Sequence, residues 1–435
     1  MKYFFSKNWI VLLIIISLIS VKFYYLYLSK LNNSYKDVAA YNNGDASHYL
    51  RIGKNIADYN VYSDTNSSEA SELATWRPPF WPFILSFFFR FTTDVLNLIF
   101  LKSILEIGLI IFALLKYKNK SKLKLIYLLP FFLVFIEPQY LKYSVTFLSE
   151  SLTAILILLL TIYFISLNKT KNYHIAIPIL SAFIILCHPV SIFFVVTLFI
   201  IYLIFNLRSN FSIVLVHGIL FSLLLLAWPY RNQATFNKGL YLTASQGATL
   251  SKGWNEKVAK EFTNTDGDLA NETLNLKYVD DNLLKDIDKS ILTRSKLYLE
   301  GTKNFINSIS FKEKFNIVIK KLRSNFNPFP EKPKPGFLET LSILFRILYV
   351  FTFLQLIFRV IKKNKIDYNS KDDKIYLVIL AVFVGQIIMS AYIYTGLRFN
   401  SIYSLTMLFC FIQLNYNFLF KLMSKILPSK HENEI

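Results

Sequence analysis

DVLNLIFLKSILEIGLIIFALL (94–115) runs directly into KYKNKSKLK (116–124). The first stretch is apolar over a length that, at about 1.5 Å per residue, reaches across a bilayer core of roughly 30 Å. The second places five lysines in nine residues. An apolar run that stops in a lysine-rich turn reads as a spanning helix whose end lies on the cytoplasmic side. Working outward, similar runs recur at 9–28, 123–140, 146–167, 174–187, 189–206, 211–229, 337–358, 375–395 and 399–420. With 94–115 they make about ten. The expected fold is an all-α polytopic membrane protein with juxtamembrane helices and one large loop on its outer face.

Composition supports this class. Hydrophobic residues make up 54% of the 435, and charged ones only 17%; a soluble chain of this length needs more polar surface. The net charge of +20 is largely membrane-adjacent lysine, which anionic headgroups favour, so no nucleic-acid partner is implied. Cys187 and Cys410 sit within apolar runs and form neither a disulfide framework nor a metal-ligand spacing. The N-terminal run lacks a small-residue cleavage site and reads as a retained anchor, with Lys22 snorkelling outward.

Lysine and arginine bias sets the orientation. Residues 359–374 carry six basic side chains, and the shorter outer turns only Lys142 and Arg398. Both termini are therefore expected in the cytoplasm. Two larger segments then lie outside, 29–93 and 230–336. The chain divides into a transmembrane module with its first outer loop (1–230), a partly helical extracytoplasmic loop (231–336), and C-terminal helices with a tail (337–435). Within the loop, 275–300 and 302–323 show helical spacing, and 239–255 reads as turns and short extended pieces.

The unusual polar residues gather on that outer face. YNNGDASHYLRIGKNIADYNVYSD (41–64) predicts a helix from Asp45 to Asp58, with Tyr49 on its apolar stripe. Asp45 is either a helix cap or a functional carboxylate. TWRPPFWP (75–82) forms a stiff turn that carries Trp76 and Arg77, and 80–91 is apolar but too short to span. Arg77 is either an interfacial anchor or a grip for a lipid phosphate, and the same two readings hold for Arg231 in AWPYRNQATF (227–236) and Arg398 in TGLRFNS (395–401). Glu150 opens an apolar helix, as a helix-terminus charge or a functional acid. Glu137 lies near the outer end of the third span, and His188-Pro189 breaks an apolar stretch. A lone histidine such as His188 is more often a satisfied polar group than an acid, base or ligand, and His48 more so.

In order along the chain, Gly44-Asp45, Arg77-Pro78-Pro79-Phe80-Trp81-Pro82, Ser149-Glu150, Trp228-Pro229-Tyr230-Arg231-Asn232 and Gly396-Leu397-Arg398 resemble the motifs of the GT-C superfamily of polyprenyl-phosphate-sugar glycosyltransferases, the bacterial aminoarabinose transferases and protein O-mannosyltransferases above all. The chain departs from that pattern in lacking an acid beside Asp45, in the inverted Trp228-Pro229, and in having Gly396-Leu397-Arg398-Phe399 where relatives carry Glu-Arg-Tyr. The resemblance implies a multi-pass enzyme of the bacterial inner (plasma) membrane, part of cell-envelope chemistry. It would move a sugar from a polyprenyl-phosphate-linked donor to a glycolipid, polysaccharide or protein, among membrane lipids. Asp45 would be the base and Glu150 a second acidic group, with Arg77, Arg231, Arg398, His188, Tyr49 and Trp76 around the donor. No metal ligands are assigned, and dependence on a divalent cation stays open. Two other classes stay open as well: a lipid-linked saccharide flippase or transporter, and an outer-face polysaccharide polymerase or ligase.

Overall fold

The apolar runs fold as helices, and among the described residues no strand forms. The computed structural model describes residues 16–17, 19–27, 44–121, 136–167, 175–207, 211–261, 271–326, 337–362, 367–368, 370–393, 397–416 and 418–419. After a helical stretch at 19–27 come α1 (Gly44–Tyr59), α2 (Phe80–Phe89), α3 (Val95–Ser121), α4 (Pro138–Ser144), α5 (Glu150–Ile165), α6 (Ala176–Cys187), α7 (Ile192–Asn206) and α8 (Phe211–Phe236). The 231–336 loop adds α9 (Gln246–Gly253), α10 (Ile291–Ser308) and α11 (Phe311–Phe326), and the chain continues through α12 (Phe337–Lys362), α13 (Lys371–Tyr392) and α14 (Leu397–Leu414). Among the described residues, five helices are long and apolar enough to cross a membrane: Val95–Tyr117, Pro189–Asn206, Phe211–Phe236, Thr340–Lys362 and Lys371–Tyr392. The start of the first expected span, residues 122–135 of the third, the 168–173 turn, Gly396 and the tail lie outside the described residues.

Helix α5 is the axis. It is apolar around its whole circumference, and all of its residues are buried, as a helix without a polar face must be. Helices α3, α4, α6, α13 and α14 pack around it.

Several boundaries differ from the sequence reading. The third span was expected to end at 140, but its last residues belong to the short helix α4, because the Glu137 carboxylate accepts the backbone N–H groups of Gln139 and Tyr140 at 3.0 and 2.6 Å and starts a helix at Pro138. The seventh was expected to stop at 229, yet α8 runs through Pro229 to Phe236. Its Trp228 and Asn232 side chains bond to the carbonyls of Leu242 and Tyr241 at 3.1 and 3.2 Å, anchorage that offsets the one helical hydrogen bond proline removes. The helical reading of 275–300 is interrupted until Ser290, whose hydroxyl accepts the Thr293 N–H at 3.1 Å and starts α10. The 239–255 stretch contains helix α9 rather than only turns.

Lys22 does not snorkel. It is 4% exposed and pairs with Glu106 at 2.7 Å. Lys102 pairs with the same carboxylate at 3.3 Å, and its ammonium donates to the carbonyls of Tyr143 and Thr146 at 2.9 and 2.6 Å. The Ser151 hydroxyl donates to Glu106 at 2.6 Å. Charge at membrane depth is expensive unless paired, and this cluster ties the N-terminal helix, α3, α4 and the start of α5 together.

Helix α2 packs inward along one side. Trp81, Leu85, Phe88 and Phe89 are buried while Phe83 and Phe87 stay exposed, and its inner side crosses α1 at Gly53. A Cβ there would lie 2.7 Å from Leu85 Cβ and 3.2 Å from the Pro82 carbonyl oxygen. Gly53→Leu is therefore expected to separate α1 from α2 and destabilise the fold by about 1–3 kcal/mol. An unchanged thermal midpoint in detergent would show that the crossing is looser than this.

Candidate functional site

Helix α1 begins at Gly44, whose φ of +57° suits glycine, and it presents Asp45 in its first turn. The carboxylate is not spent on capping. One oxygen pairs with the Arg77 guanidinium, and the other accepts from Arg398 Nη1 at 2.7 Å. Asp45 itself is 30% exposed at the side chain. Burial alone would raise its pKa, but the two guanidinium charges and their hydrogen bonds outweigh that and hold the carboxyl well below the usual range.

Each arginine has a second, deeper partner. Arg398 Nε pairs with Glu150, which is fully buried at the start of α5. Arg77 Nε donates to His48 Nδ1 at 3.2 Å. A guanidinium can only donate, so Nδ1 carries the lone pair, and the ring proton on Nε2 faces Asp64 Oδ2 at 3.4 Å. The Ser71 hydroxyl donates to the other Asp64 oxygen at 2.5 Å. Burial, with Arg77 beside it, lowers the His48 pKa against the opposing pull of Asp64 and favours the neutral ring. Asp64 is lowered in turn, the hydrogen bonds from His48 and Ser71 overcoming its burial. Arg77 also lies 5.5 Å above the Tyr49 ring, and the Tyr62 hydroxyl fixes its backbone by donating to the Arg77 carbonyl at 3.0 Å.

Asp45, Arg77 and Arg398 form the floor of a cavity of about 330 Å³. Asp45, Tyr49, Trp76, Arg77, His188 and Arg398 all line it. One wall is polar, with Thr243, Ser245, Gln246 and Thr249 from the 231–336 loop. Another is apolar, built from Val190, Ile192 and Phe193 before and at the start of α7 and from Ile393 and Phe399 beside the ends of α13 and α14. His188 stands behind, with Nε2 3.8 Å from Glu150 and its ring 5.8 Å from that of Phe399.

Compared with family models, with curated proteins and with solved structures, the chain has no match. Its chemistry is therefore read from its own geometry.

Arg231 is the correction. It does not join Arg77 and Arg398 in the cavity; its guanidinium lies over the rings of Trp228, Tyr62 and Phe236 at 5.1, 5.6 and 5.5 Å. Aromatic faces satisfy this cation, and its neighbourhood supports the wall instead. Trp228 and Asn232 hold the 241–242 carbonyls, and the Ala244 N–H donates to the Thr75 carbonyl at 2.9 Å. The 231–336 loop is pinned from the other side as well. Trp254 Nε1 donates to the Ala391 carbonyl at 3.1 Å, Lys321 to that of Ile393 at 3.1 Å, and Asn325 to Ser390 at 2.8 Å.

Among the described residues, no group of three or more His, Cys, Asp or Glu side chains could hold a metal ion. Asp45 and Glu150 are both paired with arginine. The sequence alone gives His48 little weight and does not mark Asp64. His48 was within reach, since it stands three residues after Asp45 on one helix and so shares its face.

Proposed function

We propose that this chain is a GT-C-like glycosyltransferase of about ten spans, both termini cytoplasmic, which moves a sugar from a polyprenyl-phosphate-linked donor to an acceptor at the outer face. The observation that carries this reading is the meeting of Arg77 and Arg398, far apart in the chain, on the two oxygens of Asp45 at the floor of a cavity with one apolar and one hydroxyl-rich wall. Paired guanidinium groups match a phosphate. The apolar wall suits the first units of a prenyl chain, and the Thr243–Thr249 side suits a sugar or its acceptor.

The lipid phosphate is already a good leaving group, so no general acid is needed. The acceptor hydroxyl oxygen attacks the anomeric carbon as the carbon–oxygen bond to phosphate breaks. The phosphate departs with the electron pair and is stabilised by the arginines, while Asp45 takes the hydroxyl proton. One displacement on one face inverts the anomeric centre. Glu150 and His48 hold the two arginines in place from behind.

The direct test gives purified protein a polyprenyl-phosphate-linked sugar and a panel of glycolipid, polysaccharide and protein acceptors, with no nucleotide or ion gradient. Free polyprenyl phosphate and a glycosylated product are expected. Movement of the intact donor between leaflets without release would instead make the protein a flippase. Orientation is tested separately with single cysteines at Ser245 and Lys120 after replacement of Cys187 and Cys410. An impermeant thiol reagent added outside is expected to label position 245 and spare 120, and the reverse pattern would overturn the topology.

A further inference from the structure

Asp45 is assigned the proton, yet both of its oxygens are engaged by arginine, and a carboxylate so engaged is a weak base. The two guanidinium groups are held from behind, Arg398 by Glu150 and Arg77 by His48, so they need not move far if Asp45 lets go. Asp45 is also the most exposed member of the trio, at 30% against 15% and 24% for Arg77 and Arg398, and it lines the cavity with them. In this arrangement the carboxylate occupies the place of an anionic ligand.

We propose that Asp45 and the donor's phosphate compete for the same two guanidinium groups, so that donor binding itself frees Asp45 to act as the base. The inference rests on the glycosyltransferase reading and adds to it an order of events. Before the donor arrives, Asp45 closes the anion site and has little appetite for a proton. The phosphate then takes Arg77 and Arg398 and leaves Asp45 beside a new negative charge, where protonation becomes favourable. After transfer the phosphate leaves and Asp45, having shed the proton to solvent, recloses the pair. Proton abstraction from an acceptor, or from water, would thus be confined to the donor-loaded enzyme.

The test is an affinity measurement with no turnover. Farnesyl monophosphate is titrated at pH 7.5 into detergent-solubilised wild type and into the Asp45→Asn and Asp45→Glu variants, each first shown to be folded by its thermal midpoint. Asp45→Asn removes the competing charge at nearly constant shape and is expected to bind about tenfold tighter, roughly 1.4 kcal/mol. Asp45→Glu keeps a competing charge and is expected to remain near wild type. Equal or weaker binding by Asp45→Asn, or an equal gain in Asp45→Glu, would overturn the competition while leaving the proposed function standing. If none of the three folded proteins binds the prenyl phosphate, the glycosyltransferase reading fails first. Should Asp45→Asn not fold, Asp45→Ala takes its place with the same expected gain.

Discussion

Asp45→Asn is expected to lower the transfer rate about a hundredfold or more, the usual weight of a general base, while the fold survives. Three roles for this carboxylate make different demands. As a helix cap it would tolerate asparagine, which caps about as well; but its oxygens face Arg77 and Arg398. As a purely structural ion pair it would lose stability in step with activity, because removing one partner strands the others. As a base it would lose rate with little change in thermal midpoint, since asparagine still offers one oxygen to a guanidinium. Rate and midpoint measured on the same preparation separate the three. A near-normal rate would reject the catalytic role and turn attention to Glu150, the other acid on Arg398. The pH dependence has a definite sign. Asp45 is held low in the resting enzyme, so the acid limb of kcat/KM, which reports the free enzyme, should lie below that of kcat, which reports the donor complex.

How far the site was legible from the sequence depends on what each residue answers to. Arg77, Arg398 and Asp45 could be placed on one face because hydrophobic run length and lysine bias are local properties that survive folding. Arg231 followed the same rule and sits close by, yet it does not line the cavity. Its place at the edge of an apolar run looks like that of Arg77, and what separates them is Tyr62 and Phe236, whose rings cover one guanidinium and not the other. That difference is tertiary and leaves no mark on spacing. His48 was readable from its three-residue step after Asp45. Asp64 was not, because it reaches the helix from a loop. The Lys102-Glu106 pair is visible as a four-residue step on α3, whereas Lys22, the third member, comes from another helix altogether.

That buried cluster carries the second large expected effect. Glu106 is fully buried between two lysines, one of which ties off the carbonyls at the end of α4, and it accepts the hydroxyl of Ser151, the neighbour of Glu150. Glu106→Gln keeps the shape and some of the hydrogen bonds but leaves Lys22 and Lys102 without a counter-charge. Stranding a buried charge in this way costs about 3–5 kcal/mol, and two lysines facing each other across a neutral amide place the loss at the upper end. A large fall in thermal midpoint is expected. Lys22→Met on the same background removes one of the stranded charges and should recover much of it, because a neutral side chain of similar length fills the space. A Glu106→Gln protein as stable as wild type would mean that water or lipid headgroups already neutralise these lysines. The site should respond too. The start of α5 holds Glu150, Glu150 holds Arg398, and Arg398 holds Asp45, so a loosened Ser151 is expected to weaken prenyl-phosphate affinity even at temperatures where the variant is fully folded. Recovery of affinity alongside stability in the Lys22→Met double variant would tie the two ends of that chain of contacts together.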